Sequence, residues 1–259
     1  MKRNDGHLEI RLAQTTADIK SAQRLRYQVF VQEMGAAGEM VDHAAGLEID
    51  RFDAHCEHLI LVDTRRDSAD LGHVVGVYRM LDRDAANKAG GFYSQAEYDL
   101  SPLIDSSRSL LELGRSCVHP DYRNGMGLYR LWHGLGAYVS AHRIDVLFGV
   151  ASFPGVRPKD HGDALAYLHN HHLAPVDLRV CSRDASSENF PTHENFSIPR
   201  AGAMATMPAL IKAYLRIGGY VGDGAFVDHA FNTTDVCLIL DLNRMDEKQR
   251  RRYGGGDDA

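Results

Sequence analysis

The sequence predicts an α/β fold: a mixed sheet with flanking helices and a C-terminal extension. Short apolar or alternating runs recur along the chain, and two of them, HLILVDT and HVVGVYRML, are joined by the polar turn RRDSADLG as an antiparallel hairpin. Helical patterns are interposed between the strands rather than gathered at one end. The 259 residues, 44% hydrophobic and 25% charged, are enough to bury a substantial core.

HLEIRLAQ alternates as a strand, with Leu8, Ile10 and Leu12 on one face. TTADIKSAQRLRYQVFVQEMG reads as one helix, N-capped by Thr16 and stopped before Gly35, with Ile19, Ala22, Leu25, Val29 and Phe30 as its apolar stripe. Polar loop follows to about Arg51, and the hairpin comes next. A loop-rich stretch containing AGGFYSQAEYDLSP then leads to the strand SLLELGRSCV. GMGLYRLWHGLGAYVSAHR is helical, with Leu128, Leu131, Leu135 and Val139 near helical spacing. IDVLFGVASF is a short apolar strand followed by the turn PGVRP. GDALAYLHNHHL and PALIKAYLRIGGY are helical, the second with Pro208 in its first turn and Gly218-Gly219 as its stop. TDVCLILDL is a late strand. Residues 1–245 are read as a single domain, with a core at 8–155 and a C-terminal lobe at 156–245. The charged, then glycine-rich end, 246–259, is read as a flexible tail.

A formal net charge of −6 argues against a general nucleic-acid binder. Cys56, Cys117, Cys181 and Cys237 are scattered and form no CxxC pair, so reduced thiols in a cytoplasmic protein are expected. The polar N-terminus lacks a signal-peptide core, and no run approaches the roughly 20 apolar residues of a membrane span. A soluble protein is expected, with transient contact at a membrane surface left open. His161, His169, His171 and His172 do not reproduce an H-E-x-x-H pattern, so no metal is expected.

VHPDYRNGMG follows a strand and opens a helix, where unpaired backbone N–H groups make an anion site. Gly125 and Gly127 permit close approach, and Arg123 adds positive charge. An ordinary strand-to-helix turn has the same appearance; neither a G-x-G-x-x-G fingerprint nor a P-loop is present. The segment resembles the coenzyme A-binding turn of the Gcn5-related acyltransferase fold. In that family the turn holds a pyrophosphate, and the acyl-pantetheine arm lies in a split between neighbouring strands. The family pattern is R/Q-x-x-G-x-G/A. This chain has Tyr122 at the first position and its arginine one place later, so the single phosphate of a phosphopantetheine arm on acyl carrier protein fits at least as well. Val118 and Ser152 are the further donor contacts expected. Tyr167 is either a proton donor to the departing thiolate or a packed helix residue.

Glu112 and Arg115, three apart on one strand, should face opposite ways unless a bulge intervenes. Four ordered segments, LRYQVF, EIDRFD, YRML and ELGRSCV, resemble those of the acyl-homoserine lactone synthases. They place Arg26 to Phe30, Glu48 to Asp53, Arg79, and Glu112 to Arg115 at that family's site. LWHGLGAYV, LFGVASFPG, AYLHNHHLAP, PALIKAYLRIGGYVGDGAFVD and FNTTDVCLIL resemble instead the ornithine N-acyltransferases of ornithine-lipid synthesis, a resemblance that covers roughly residues 8 to 242. That resemblance implies transfer of a 3-hydroxyacyl chain from acyl carrier protein to the α-amine of ornithine, with no bound cofactor beyond the donor's acyl-phosphopantetheine. Aminolysis of a thioester needs a neutral amine, so Glu112 is expected as the base, directly or through water, with Arg115 beside it. Asp50 and Asp53 would receive the cationic substrate, and Arg26 or Arg79 its carboxylate. N–H groups near Ser116 to Val118 would stabilise the oxyanion if the strand is bulged. Cys117 is a counter-candidate as a nucleophile. Other readings are an N-acyl amino acid or lactone synthase with a different acceptor, and a non-catalytic acyl-carrier or lipid-binding protein.

Overall fold

The computed structural model describes residues 6–38, 40–123, 125–184 and 200–247. They form a mixed α/β structure in two compact units interleaved along the chain. The first runs through Gly90 and resumes at Leu113–Arg143; the second takes Gly91–Glu112 and resumes at Ile144. Of the expected tail, residues 248–259 lie outside the described residues.

In the first unit β1 (Leu8–Leu12), β2 (Glu57–Asp63) and β3 (Val74–Asp82) run antiparallel, with Leu8 opposite Asp63 and Glu57 opposite Met80. The strand β5 (Leu110–Val118), which enters this unit at Leu113, follows β3 in the strand order. β2 is apolar from Leu59 to Val62 because both its faces are covered there. Ile60 and Val62 pack with Ala22 and Leu25 of α1 (Thr16–Arg26), together with Val29, Val74, Val77 and Cys117. Leu59 and Leu61 face the other way, toward α4 (Met126–His142). There a Cβ on Gly134 would lie 2.5 Å from Ile10, and one on Gly76 would lie 3.0 Å from Leu131. Val74 and Val77 are three apart yet share the α1 side, because the β2–β3 register shifts between Leu61 and Val62.

Helix α1 is capped by Thr15 rather than Thr16. The Thr15 hydroxyl accepts the Asp18 N–H at 3.1 Å, and the Asp18 carboxylate accepts the Thr15 N–H at 3.1 Å. The expected single helix is also two pieces: after Arg26 the chain widens into a π-helical turn, Tyr27–Glu33, before Gly35 at φ 79°. A short helix, α2 (Arg83–Ala89), lies between Asp82 as its cap and Gly90 at φ 83°. Its seven residues are too few to show periodicity.

In the second unit the first residues of β5 pair parallel with β6 (Val146–Pro154), Leu110 opposite Val146 and Glu112 opposite Phe148. β6 runs antiparallel to β10 (Thr233–Asp241) along nine residues, and every residue of β10 is buried. β8 (Tyr220–Val221) and β9 (Phe226–Asp228) pair with β10 at Leu238–Ile239 and Thr233–Asp235. A two-stranded sheet joins β4 (Tyr98–Asp99), which α3 (Ser101–Ile104) follows, to β7 (Cys181–Ser182). Helices α5 (Gly162–His172), α6 (Arg200–Thr206) and α7 (Ala209–Arg216) complete it; Pro208 caps α7 rather than occupying its first turn. Among the described residues no helix is long and apolar enough to cross a membrane.

Candidate active site

The first unit gathers three arginines and three carboxylates from four segments. Arg26 comes from the last turn of α1, Arg79 from β3 and Arg115 from β5, while Glu48, Asp50 and Asp53 come from the loop before β2. That loop is held locally: the Glu48 N–H donates to the Gln23 carbonyl at 3.1 Å, and the Phe52 N–H donates to the Asp50 carboxylate at 2.8 Å.

Arg26 donates from Nη1 and Nη2 to the two oxygens of Asp53, at 2.7 and 2.9 Å, from Nη2 to the Glu48 carbonyl at 2.7 Å, and from Nε to the Glu48 carboxylate. Arg115 reaches Glu48 Oε1 at 3.1 Å and Asp50 Oδ2 at 3.0 Å. Arg79 Nη1 bridges Asp50 Oδ2 at 2.5 Å and Asp53 Oδ1 at 3.0 Å. Its guanidinium also stands 5.8 Å from the Phe52 ring centre, which gives the aromatic residue of EIDRFD a part. Gln23 Nε2 donates to Asp53 at 3.0 Å.

The formal charges of the six groups cancel, which is what allows them to be buried together. They are not buried equally: the Arg26 side chain is 0% exposed and the Asp50 side chain 17%. Burial alone would raise the pKa of Asp50, but Arg79 and Arg115 hold it below the usual carboxylate value. For Asp53 burial is again the largest influence, outweighed by its neighbours His58, Arg26 and Arg79, so its pKa too is depressed. Both acids are therefore ionised at neutral pH. They suit the binding of a cation and are poor proton acceptors.

Arg115 has φ 51° inside a strand, the left-handed region that a non-glycine residue seldom occupies. Its two ion pairs hold it there. This left-handed residue lies directly before Ser116.

Glu112 belongs to the second unit. It is 3% exposed, and its carboxylate accepts the Tyr93 and Ser94 N–H groups, each at 2.7 Å, and the Ser94 hydroxyl. These donors come from the 3-10 turn Tyr93–Ala96, behind which Phe92 meets Phe148 edge-on at 5.0 Å. Ser152, also in this unit, is half-buried on β6 opposite Asp235.

At the glycine turn, Arg123 donates to the Val118 carbonyl at 2.9 Å and to both Glu33 oxygens at 3.1 and 2.9 Å. Gly125 at φ 93° precedes α4. A Cβ on Gly127 would lie 2.8 Å from the Tyr122 carbonyl and 2.9 Å from Val118. Tyr122, at the departing position of the motif, is turned away to donate to Asp63 at 2.5 Å.

Cys117 is buried, and burial pushes its thiol up to about 12, which leaves no thiolate for nucleophilic attack. The Tyr167 ring packs against His171 at 4.5 Å. Two buried residues at the cluster, Glu48 and His58, had been given no role. Glu48 carried a signal, as the first acid of EIDRFD. His58, whose Nε2 lies 3.6 Å from Asp53, carried none, because a lone histidine in an apolar strand has no distinguishing pattern.

Residues 25–133 match a family model described as an acetyltransferase (GNAT) domain. The chain is 51% identical over 245 residues to an L-ornithine N(alpha)-acyltransferase of Rhodobacter capsulatus, covering 95% of this chain and 94% of the relative. It is 42% identical to a protein of the same name from Brucella abortus, covering 96% and 89%. Among solved structures it is similar in fold to the AHL synthase LasI, at TM-score 0.53, 16% identity and 96% coverage of each chain. It is also similar to FeeM, an N-acyl amino acid synthase from uncultured soil microbes, at TM-score 0.52, 10% identity and 92% coverage of each.

Proposed function

The chain belongs to the L-ornithine N(alpha)-acyltransferase family, and from that premise we propose that it moves a 3-hydroxy fatty acyl group from acyl carrier protein to the α-amine of ornithine, forming lyso-ornithine lipid. The observation that carries the acceptor side is the arginine–carboxylate cluster, with Asp50 outermost and held ionised. Asp50 and Asp53 receive the cationic substrate. Arg26, bonded to Glu48 and Asp53, and Arg79, bonded to Asp50 and Asp53, position those acids, and one of the two arginines takes the substrate carboxylate.

Glu112 takes a proton from the α-ammonium, directly or through water; the Tyr93 and Ser94 donors fix its orientation and also stabilise its charged form, which favours the water-relayed route. The neutral amine attacks the thioester carbonyl, and N–H groups after Arg115 stabilise the oxyanion. The C–S bond then breaks, and the pantetheine sulfur leaves as a thiol, taking up the proton that the attacking nitrogen gives up. On the donor side Arg123 exchanges Glu33 for the phosphate of the phosphopantetheine arm. An exposed ion pair contributes only about 0–1 kcal/mol, so the exchange costs little. Val118, Gly125 and Gly127 are the proposed contacts of the arm in the first unit, and Ser152 is the one proposed in the second. The product is amphiphilic, so transient contact with the inner membrane surface completes the cycle.

The test is to offer the purified protein 3-hydroxyacyl carrier protein, or the same acyl group on coenzyme A, with a panel of amino acids, and to identify products by mass spectrometry. Acylornithine from the carrier-protein donor is expected. Preference for another amine moves the acceptor, preference for coenzyme A replaces the donor, and no product from either donor removes the enzyme.

A further inference from the structure

Glu97, just ahead of β4, Asp228 of β9 and Asp235 of β10 each offer one carboxylate oxygen, and these oxygens lie within 4.8 Å of one another. Glu97 and Asp235 are 4% and 3% exposed, and Asp228 is half-buried. Three carboxylates this close repel strongly where water screens them poorly. The set is held in place from several directions. Asp228 Oδ1 accepts the N–H groups of Ala230 at 2.7 Å and Phe231 at 2.9 Å. Tyr98, next to Glu97, donates its hydroxyl to the carbonyls of Gly224 at 3.1 Å and Asp235 at 3.0 Å.

A second observation points the same way. Thr233 is 1% exposed, and its hydroxyl has no hydrogen-bond partner among the described residues. Thr233 is opposite Asp228 in the β9–β10 ribbon and two residues from Asp235 on β10. Cross-strand partners share a face, as do residues two apart on a strand, so the threonine stands on the side that carries the acids. A buried hydroxyl left unpaired is destabilising, and a cation among the carboxylates would give its oxygen a partner.

We propose that Glu97, Asp228, Asp235 and Thr233 form a binding site for a hard divalent cation of the calcium and magnesium class. The donors are all oxygen, three of them carboxylate, a set that suits these ions and not the soft or borderline metals that select thiolate and imidazole. The bound ion joins the segment after the Tyr93–Ala96 turn to the β9–β10 ribbon. Its place is structural, and its loss loosens the turn whose N–H groups hold Glu112.

The full chain, stripped with a chelator and desalted, should show a higher melting temperature on addition of calcium, magnesium or manganese, with saturable binding by calorimetry. Asp228→Asn and the near-isosteric Thr233→Val should fold, by circular dichroism, and lose most of that shift; Thr233→Val keeps the test open if Asp228→Asn does not fold. No shift and no binding with any of the three ions overturns the site, as does an equal shift in wild type and Thr233→Val. A shift with ornithine and none with metals also overturns it, and assigns the acids to an ammonium group.

Discussion

Arg26 holds Asp53 with both arms of its guanidinium, Nη1 to Oδ1 at 2.7 Å and Nη2 to Oδ2 at 2.9 Å, at a position where the arginine is wholly enclosed. Removing one member of such a pair leaves the other charged and buried. Arg26→Ala is expected to cost about 3–5 kcal/mol of stability, measured by urea unfolding. Arg26→Lys should recover little of it, because an ammonium cannot match the two-point geometry. Near-complete rescue by lysine would contradict the bidentate role.

Arg115 provides a test of backbone strain. Replacement by alanine or glycine removes both ion pairs, but only glycine accepts φ 51° without a steric penalty. Arg115→Gly should therefore be the more stable variant by about 1–2 kcal/mol, although glycine is normally the worse residue in a strand. Equal stability, or alanine ahead, would mean that the left-handed conformation is not retained.

Thiol labelling separates the cysteines. Burial pushes Cys117 up to about 12 and raises Cys237 further, while Cys181 is exposed. In the native protein a thiol reagent at mildly alkaline pH should modify Cys181 and spare Cys117 and Cys237, read by peptide mass spectrometry. Cys117→Ala should retain acyl transfer. Loss of turnover in a folded Cys117→Ala would reopen the covalent route.

Stability should fall in acid, and Asp50 and Asp53 contribute to this beside Asp18 and Asp63, whose carboxyls Arg11 and Arg65 also hold low. Asp50 and Asp53 have folded-state pKa values below their unfolded ones, so their contribution is complete above the unfolded value and is lost as pH falls toward the folded one. The melting temperature should be nearly flat down to about pH 5 and decline below about pH 4, near the unfolded carboxyl value. Asp53→Asn should be less stable at neutral pH and show a shallower acid decline. An unchanged acid slope would place the linkage elsewhere.

Much of this was legible in the residues. The β2–β3 hairpin, α4, β6 and β10 follow from runs long enough to display a period. The order of EIDRFD, YRML and ELGRSCV pointed to the residues that meet around Asp50 and Asp53. What sequence could not supply is how they meet. The arginines are largely engaged by the acids that the same motifs carry, a relationship that depends on the path of the loop after Glu48. The π-helical widening after Arg26 leaves no mark in the apolar spacing. Nor does the left-handed Arg115, since nothing about an arginine announces a residue held there by ion pairs.

The most direct test of the acceptor site is the ornithine dependence of acyl transfer in Asp50→Asn, with melting temperature as the control for folding. Asp50 is the outermost carboxylate and the proposed contact for the substrate cation. A hydrogen bond to a charged group contributes about 1.5–3 kcal/mol, so the KM for ornithine should rise by about ten- to a hundredfold while the donor's KM stays near the wild-type value. A folded Asp50→Asn with unchanged ornithine KM would contradict the account and place the acceptor away from the arginine–carboxylate cluster.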